Sequence, residues 1–455
     1  MNAKASLRAT GPKNIAVVGA GHVGLVTAAC FAEIGHNVIC MDIDEERVEA
    51  LRRGETPFYE PRLTDLVMAN ISAGRLRFTT KYESAVEAAD FVFIAVATPT
   101  TLMGAPDLQF VRTAVRGIAR AAHGRRPILV SKSTAPVAIT DTLERILTEE
   151  SNGAGPLPLV ANPEFLREGT AVQDFLCPDR VVLGSADLHA REMVGELYAS
   201  LNCPILYTDI KTAEMVKYAS NAFLATKISF INEMAGICEK VGADVRDVAR
   251  GMGMDPRIGP DFLSAGIGFG GSCLPKDVRA LAQLAALYGS HPQLLTDVLE
   301  INTEQRRRIV ARLRTVLGKL RGARIAILGL AFKPGTDDIR EAPAHDLIRL
   351  LEFEEVQLIG CDPIAIENTR ALFPGIEYET DPYVAARGCD ALIIATEWPD
   401  FRALDLRTLR KTMRTPVIVD GRNVLEPERA RTAGFVYFGI GVPDQALDAS
   451  ALVAV

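Results

Sequence analysis

The sequence lacks a basic excess, because its 50 lysines and arginines stand against 57 aspartates and glutamates, for a net charge of -7. Binding to the phosphate backbone of a nucleic acid needs clustered positive charge. We therefore expect no nucleic-acid partner. An anionic ligand would have to be held by a few local cations.

Long hydrophobic runs are also missing. No stretch approaches the roughly 20 apolar residues of a membrane-spanning helix. Residues 1–13 carry several positive charges but no apolar run of the kind found in a secretory signal or a membrane anchor. These absences predict no membrane partner and a cytoplasmic location.

The eight cysteines form no CxxC pair and no dense cluster. Such scattered spacing fits neither a zinc site nor a disulfide framework. We therefore expect reduced thiols and no metal. For seven of the eight, the prediction is a small buried hydrophobe; these are Cys30, Cys40, Cys177, Cys203, Cys238, Cys361 and Cys389.

A chain of 455 residues would ordinarily divide into about three domains of roughly 150 residues. Residues 13–44 read as strand, glycine turn, helix and second strand, and further apolar runs follow at 91–97, 128–131 and 159–161. A long helical pattern starts near Thr212 and ends at Gly242, and a second α/β alternation begins at Arg324. This order predicts an α/β protein with two Rossmann-like, doubly wound parallel-sheet domains joined by a long central helix and a helical region. The expected bounds are 1–210, 211–318 and 319–455.

The first glycine turn has the spacing of a dinucleotide site. Gly19, Gly21 and Gly24 form GxGxxG directly after a strand and at the start of a helix, where free N–H groups can receive a pyrophosphate. Asp42 ends the next strand and can accept hydrogen bonds from ribose hydroxyls, while repelling a 2'-phosphate, so NAD is favoured over NADP. Asp44 is a weaker rival for this role. The corresponding turn of the second lobe keeps one glycine only, and we expect no dinucleotide there.

A glycine-rich loop, GIGFGGSCLPKD at 266–277, carries Cys273 next to Lys276 and Asp277. Nearby cations or N–H groups can lower the pKa of a thiol into a reactive range. From the residues alone, a nucleophile and a small buried hydrophobe remain alternatives for Cys273.

Two further polar pairs stand out. Lys217 and Asn221 are four residues apart on the long helix and so share one face. Glu164 and Glu168 follow an apolar strand, at the kind of edge where ligands bind in open α/β sheets. The alternatives are a solvated lysine and carboxylates that cap a helix N-terminus.

Taken together, several motifs resemble those of the UDP-glucose 6-dehydrogenase family, within the UDP-glucose/GDP-mannose dehydrogenases. The resemblance covers essentially the whole chain after Lys13, and the cysteine loop with the Lys/Asn helix is its most specific part. The motifs are VGAGHVGL, SKSTAPV (131–137), NPEFLREGTA (162–171), KYASNAFLATKISFINE (217–233), RIG (257–259), FGGSCLPKD (269–277), GLAFKPGTDDIRE (329–341), ATEW (395–398) and DGRN (420–423).

The resemblance implies a four-electron, NAD-dependent oxidation of UDP-glucose to UDP-glucuronate. Cys273 would capture the intermediate aldehyde as a thiohemiacetal and then carry a thioester. Lys217 and Asn221 would stabilise oxyanions at C6. The base is implied to be Lys217, Asp277, or a water held by Thr134 and Asp277.

The resemblance also assigns Glu164, or a neighbouring group, to activation of the water that releases the uronate, and places Glu168 as a second carboxylate near the active site. It implies that Arg257 comes from an adjacent subunit, and hence at least a homodimer built on the long helices. The implied cofactor contacts are Gly19, Gly21, His22, Val23, Gly24, Asp42, Arg47, Thr98, Thr134, Glu168, Lys276 and Arg340. The implied substrate contacts are Glu164, Phe165, Leu166, Lys217, Asn221, Arg257, Phe262, Leu263, Ser264, Phe269, Gly270, Phe332, Lys333 and Arg422.

Three alternatives remain open at this level. GDP-mannose or a UDP-N-acetylhexosamine is the substrate of related enzymes, although ATEW and DGRN favour UDP-glucose. A two-electron hydroxyacid dehydrogenase would need no cysteine. A nucleotide-sugar sensor would not need Lys217, Asn221 and Cys273 together.

Overall fold

A computed structural model describes residues 11–99, 107–133, 139–150 and 156–443. The chain divides into two compact units, residues 1–220 and residues 221–455.

The first unit is built on an eight-stranded sheet. The strand order is β3-β2-β1-β4-β5-β6-β7-β8. All neighbours are parallel except β6 and β7, which pair antiparallel at Ala161 and Gly184. The strands are β1 (Asn14–Val18), β2 (Asn37–Met41), β3 (Leu76–Thr79), β4 (Phe91–Ile94), β5 (Ile128–Ser131), β6 (Leu159–Ala161), β7 (Val181–Gly184) and β8 (Ile205–Thr208).

Helices cover both faces of this sheet, because β1 sends alternate side chains into two separate cores. Ile15 and Val17 belong to one apolar cluster, and Ala16 and Val18 belong to the other. The helices are α1 (His22–Glu33), α2 (Glu45–Arg52), α3 (Leu63–Ser72), α4 (Tyr82–Val86), α5 (Gln109–Ala121), α6 (Ile139–Glu150), α7 (Ala171–Leu176) and α8 (Leu188–Glu196), with a 3-10 turn at Ala199–Leu201.

A single 32-residue helix, α9 (Ile210–Val241), runs through the boundary at residue 220. Three helices follow in the second unit: α10 (Val245–Gly253), α11 (Leu274–Leu287) and α12 (Gln293–Leu317). The long helix predicted from the sequence is therefore confirmed. The last of these helices starts at Gln293, directly after Pro292, because a proline disfavours the helical conformation in the residue before it.

The second unit also contains a six-stranded parallel sheet with the order β11-β10-β9-β12-β13-β14. Its strands are β9 (Arg324–Leu328), β10 (Gln357–Cys361), β11 (Glu377–Glu379), β12 (Ala391–Ile394), β13 (Val417–Asp420) and β14 (Val436–Gly439). Its helices are α13 (Pro343–Phe353), α14 (Ile366–Leu372), α15 (Pro382–Ala385), α16 (Pro399–Arg402), α17 (Leu406–Thr412) and α18 (Pro427–Thr432).

The predicted fold class, two Rossmann-like sheets and a long central helix, is confirmed. Within the described ranges, no helix combines the length and the apolar character needed to cross a membrane.

Candidate active site

The first glycine turn of the chain is shaped by close backbone approach. Gly19 has φ +104°, and a Cβ atom there would lie 2.5 Å from the carbonyl oxygen of Ala95. A Cβ on Gly24 would lie 1.8 Å from the oxygen of Gly19. At Gly21, in contrast, a Cβ would meet nothing within 4 Å. Close packing therefore explains Gly19 and Gly24. Gly21 leaves open space at the N-terminus of α1, as a pyrophosphate requires.

Asp42 directly follows β2 beside this turn and is 7% exposed. Its Oδ2 accepts hydrogen bonds from the Ala20 N–H at 2.7 Å and from Arg47 Nη1 at 3.2 Å, and its Oδ1 accepts one from the Asp44 N–H at 3.1 Å. The carboxylate is therefore held in one orientation at the position expected for a ribose contact. Asp44 instead accepts a bond from the Arg47 N–H and caps α2, so the structure gives this rival a local role.

Glu60 is a residue that the sequence interpretation missed. Its side chain is fully buried and accepts hydrogen bonds from His22 Nε2 at 2.9 Å and from the N–H groups of Gly169 and Ala171 at 2.7 and 2.9 Å. It thus ties the dinucleotide turn to Gly169, the residue after Glu168, and to Ala171 at the start of α7. Contacts between residues more than 100 positions apart leave no local sequence signal.

Of the other predicted cofactor contacts in this unit, Val23 packs partly buried against the core on one face of the sheet. Thr98 lies half-buried after β4. Thr134 falls outside the described residues.

Lys217 on α9 and Glu164 after β6 form an ion pair 2.9 Å long, with both side chains 4% exposed. The second carboxylate oxygen of Glu164 accepts from the Leu166 N–H at 2.6 Å. Burial pushes the pKa of Glu164 upward, but the charge and hydrogen bond of Lys217, with smaller help from Leu166 and Lys132, outweigh it and hold the pKa below its usual value. The alternative of a solvated surface lysine is therefore wrong for Lys217.

Phe165 lies against two cations. The Lys217 ammonium is 5.4 Å from its ring centroid, and the Arg180 guanidinium is 3.8 Å from it on a cation–π contact. Arg180 was not predicted from the sequence. Glu168 is half-buried on the same loop.

Lys132 is a second buried ammonium that the sequence interpretation missed. It is 4% exposed and donates to Asn162 Oδ1 at 3.2 Å. Burial lowers its pKa to about 8, against the opposing charge of Glu164. The Glu164 carboxylate thus lies in an interior that contains two lysines.

In the second unit, Cys273 is the N-cap of α11 and is half-buried. The N-terminus of a helix carries partial positive charge, and Cys273 lies at that end of α11. Ser272 Oγ lies 3.5 Å from the sulfur.

One turn into α11, Asp277 is 1% exposed. Its two oxygens accept from Asn221 Nδ2 and from Lys276 Nζ, each at 2.6 Å. Lys217 and Asn221 share one face of α9, but each binds a different buried carboxylate. The lysine binds Glu164, and the amide binds Asp277.

Among the other cysteines, five are buried, as predicted. The prediction was wrong for Cys177, which is exposed just after α7, and for Cys203, which is partly exposed. Cys203 still packs partly buried against the core of the first unit. All eight cysteines lie in the described ranges, and none of them forms a disulfide there.

The predicted sugar-nucleotide contacts between 262 and 270 form one loop. Phe262 takes the left-handed conformation with φ +62°, which is uncommon for a non-glycine residue. Leu263 and Phe269 are buried and Ser264 is exposed. Phe269 packs its ring into an apolar cluster with Ala222 and Val298, so this side chain is part of the core and only its backbone borders the loop.

The guanidinium of Arg422, after β13, binds groups of the protein itself. It donates to the carbonyls of Ala395 at 2.9 Å, Gly268 at 3.0 Å and Phe332 at 3.4 Å, and it lies 3.3 Å from Glu397. It therefore fixes the loop and the turn after β9 to each other, a role that the sequence interpretation did not include.

The remaining predicted residues of this unit are cations near these loops. Lys333 lies 5.3 Å from the ring centroid of Phe332, which is half-buried. Arg340 is exposed and pairs with Asp338 at 2.6 Å. Arg257, 87% exposed, pairs with Asp255 at 2.5 Å.

In the second Rossmann-like sheet, the acid that follows the second strand binds backbone groups of the same lobe. Asp362 is completely buried and accepts hydrogen bonds from the N–H groups of Leu330, Ala331, Ile364 and Ala365 and from the Trp398 indole. Both oxygens are therefore occupied within the protein, and the absence of a dinucleotide from this lobe stays a prediction.

A doubly wound sheet with an open glycine turn, an oriented aspartate at the end of the second strand and a cysteine at a helix N-terminus defines the class of an NAD-dependent oxidoreductase. Three domain descriptions of one family match the chain: the NAD binding domain at 13–202, the central domain at 211–304 and the UDP binding domain at 326–427. The chain belongs to the UDP-glucose/GDP-mannose dehydrogenase family.

Full-length relatives are similar throughout. The UDP-glucose 6-dehydrogenase TuaD of Bacillus subtilis is 46% identical over 432 residues, covering 95% of this chain and 94% of that protein. The UDP-glucose 6-dehydrogenase of Rhizobium meliloti is 47% identical over 438 residues, covering 94% and 100%. The structure of a UDP-glucose dehydrogenase from Pyrobaculum islandicum superimposes with a TM-score of 0.90 at 39% identity, covering 97% of this chain and 100% of that one. The predicted family and the predicted cofactor, NAD, are confirmed.

Proposed function

We propose that this enzyme oxidises the C6 hydroxyl of UDP-glucose to a carboxylate in two NAD-dependent steps, giving UDP-glucuronate. The observation that carries the proposal is the setting of Cys273, half-buried at the N-terminus of α11, one turn before the buried Asp277 that binds Asn221 and Lys276. A two-electron dehydrogenase has no use for such a thiol. The names of the relatives support UDP-glucose as the sugar nucleotide.

The proposed cofactor site consists of the Gly19–Gly24 turn, His22, Asp42 and Arg47, with Thr98, Glu168, Lys276 and Arg340 as further contacts and Thr134 from outside the described residues. NAD, when bound, supplies a hydride acceptor for each oxidation. The open space at Gly21 and the fixed carboxylate of Asp42 fit a pyrophosphate and a ribose, respectively.

In the proposed reaction, the first oxidation removes a hydride from C6 and the proton from its hydroxyl oxygen, and leaves an aldehyde. The Cys273 thiolate adds to the aldehyde carbon, and the carbonyl oxygen takes up a proton, which gives a thiohemiacetal. Loss of a second hydride and that proton gives a thioester. Water then cleaves the C–S bond, returning the thiol and releasing the acid.

Lys217 and Asn221 are proposed to donate hydrogen bonds to the oxygen at C6. Asp277 has both oxygens engaged, so we assign it to the orientation of Asn221 rather than to proton removal. Lys217 can act as base for the first step only after its ammonium, which is paired with Glu164, has given up a proton; the alternative is a water held by Thr134 and Asp277. Glu164, which is ionised but has both oxygens engaged, or a neighbouring group is proposed to activate the hydrolytic water, as the family resemblance implies.

We propose that the loop 262–270, with Phe165, Leu166, Phe332, Lys333 and Arg422, binds the sugar nucleotide. The diphosphate carries two negative charges, which the local cation Lys333 suits, while Arg422 holds the loop through the carbonyls of Gly268 and Phe332. The domain bounds 1–210, 211–318 and 319–455 and a cytoplasmic location remain predictions.

A homodimer is part of the proposal. On α9, Phe223, Phe230 and Ile237 are seven residues apart and 65%, 41% and 50% exposed. Spacing by seven gives one apolar stripe along a helix, as a helix-to-helix contact between two copies requires. The high exposure of Arg257 is consistent with its predicted reach into the other subunit.

The test is turnover of NAD with UDP-glucose, GDP-mannose and UDP-N-acetylmannosamine in separate reactions. We expect two NADH for each UDP-glucuronate formed. A ratio of one would exclude the four-electron route, and preferred turnover of either other sugar would replace UDP-glucose as substrate.

Cys273→Ser is expected to abolish uronate production while NAD binding is retained. Cys177→Ser, which changes an exposed cysteine, is the matched control and should keep full activity. Unchanged uronate output from Cys273→Ser would remove the covalent step.

A further inference from the structure

The loop that leads into Cys273 is held from behind by α12. Asn302, 6% exposed, forms a reciprocal pair with the backbone of Phe269: its Oδ1 accepts from the Phe269 N–H at 2.8 Å, and its Nδ2 donates to the Phe269 carbonyl at 3.0 Å. An amide side chain here pairs with the loop as a neighbouring strand would. The loop therefore cannot shift at Phe269 without breaking two buried hydrogen bonds.

Arg306, one turn later on α12, adds a third bond to the same point. It is 4% exposed, and its Nη2 donates to the Phe269 carbonyl at 2.8 Å. Its Nη1 donates to the carbonyl of Asn302. Its Nε is 3.6 Å from the half-exposed carboxylate of Asp346. One guanidinium thus links the helix, the loop and the following lobe.

The fit of the loop against these two side chains is close. Gly268 has φ +95°, and a Cβ atom there would lie 2.3 Å from Asn302 Oδ1 and 2.7 Å from Arg306 Nη1. Farther along, the Gly271 N–H donates to the Arg340 carbonyl at 2.9 Å. The backbone is thus fixed at positions 268, 269 and 271, and Cys273 follows two residues later as the N-cap of α11.

We propose that Asn302 and Arg306 are positioning residues that fix the backbone of Phe269 and thereby set the location of the Cys273 thiol and of Gly270 for capture of the aldehyde. This inference rests on the proposed function, because it assigns the two residues to the covalent step. Neither residue belongs to the motifs that carry the family resemblance.

The free energy needed to bury the Arg306 guanidinium indicates a role beyond packing. An apolar side chain at position 306 would bury with less desolvation than a guanidinium, because a buried cation gives up its hydration. Burial lowers the pKa of Arg306 to about 10, which still leaves it charged at neutral pH. The charge is used to strengthen the bond to the Phe269 carbonyl, since hydrogen bonds from charged donors are shorter and stronger than neutral ones.

The test compares Arg306→Met and Arg306→Lys with the control Arg307→Met. Arg307 is the next residue of the helix, is 64% exposed and pairs with Glu304. In Arg306→Met the former partner Asp346 is 49% exposed and can be hydrated, so the variant should fold. Circular dichroism and the melting temperature check this.

For Arg306→Met we expect kcat for uronate to fall by up to about 100-fold, the loss typical of a misplacement near 1 Å. KM for NAD should stay within about twofold of wild type, because the substitution leaves the residues of the Gly19–Gly24 turn unchanged. Free aldehyde, trapped with an aminooxy probe, should appear, and the ratio of NADH to uronate should rise above two. Arg306→Lys should recover part of kcat, and Arg307→Met should match wild type.

Alkylation of Cys273 by iodoacetamide in the absence of substrate separates the two proposals. If wild type makes no uronate, the proposed function fails, and the alkylation rate still tests the positioning. A folded Arg306→Met with the wild-type alkylation rate, or with reduced kcat but no released aldehyde, would overturn the positioning role.

Discussion

Replacing Lys217 by methionine should destabilise the first unit in a way that depends strongly on pH. The variant leaves the Glu164 carboxylate buried without its ion-pair partner, which was 2.9 Å away. Removal of one member of a buried pair typically costs about 3 to 5 kcal/mol. We expect the lower end, about 3 kcal/mol, because the Leu166 N–H and the Lys132 charge still face the carboxylate.

In a unit of 220 residues, a loss of about 3 kcal/mol corresponds to a fall in melting temperature of about 6 to 12 °C. The measurement is thermal unfolding by circular dichroism, with the first transition as the readout. Lys211→Met, at an exposed lysine near the start of the same helix, is the control, and we expect a change within about 0.5 kcal/mol.

The direction in which folding stability changes with pH follows from the pKa of Glu164. In wild type, the pKa of Glu164 is lower in the folded state than its ordinary value of 4.5, so its contribution to stability is present above pH 4.5 and is lost as the pH falls through the folded-state pKa. In Lys217→Met, burial becomes the largest remaining influence and raises the pKa of Glu164. The variant therefore gains stability from the protonated acid at low pH and loses it as the pH rises.

The gap in stability between wild type and Lys217→Met should consequently widen from pH 5 to pH 7. Adding Glu164→Gln to Lys217→Met should recover much of the loss, because the unpaired charge is gone. A gap that is the same at both pH values, or a double variant no more stable than Lys217→Met, would refute the reasoning.

Two further predictions address the cofactor turn and the dimer. Glu60→Gln should weaken NAD binding about tenfold by calorimetric titration, because the bond to His22 loses its charged acceptor, worth about 1.5 kcal/mol; Glu55→Gln, at an exposed carboxylate, is the control, and equal affinities for both would count against the link. Phe230→Glu should yield monomers in light scattering coupled to size exclusion, whereas Phe353→Glu, 87% exposed on another helix, should not, and an unchanged mass for Phe230→Glu would remove the α9 interface.

The roles of residues that depend on their neighbours in the sequence could be predicted. The spacing of Gly19, Gly21 and Gly24 reports a strand, a tight turn and a helix start within one short segment, and the structure agrees at each position. The family motifs around Cys273 were identified in the same way, since they are contiguous.

The roles of residues that bind partners far away in the sequence could not be predicted. Glu60 bonds to Gly169 and Ala171 over more than 100 residues, and Lys132 shares an interior with Glu164. Asn302 and Arg306 bind a loop more than 30 residues away. A buried carboxylate or guanidinium looks like any surface charge until its partners are known.

The sequence alone determined the local order of the elements, the family and the cofactor, because hydrophobic periodicity and glycine spacing are properties of short segments. Only the tertiary structure decided which charges are buried and paired, and that Arg422 and Phe269 are used within the protein. The reason is physical: burial and pairing depend on which distant segments pack together, and the desolvation that sets their energy does not exist in an isolated segment.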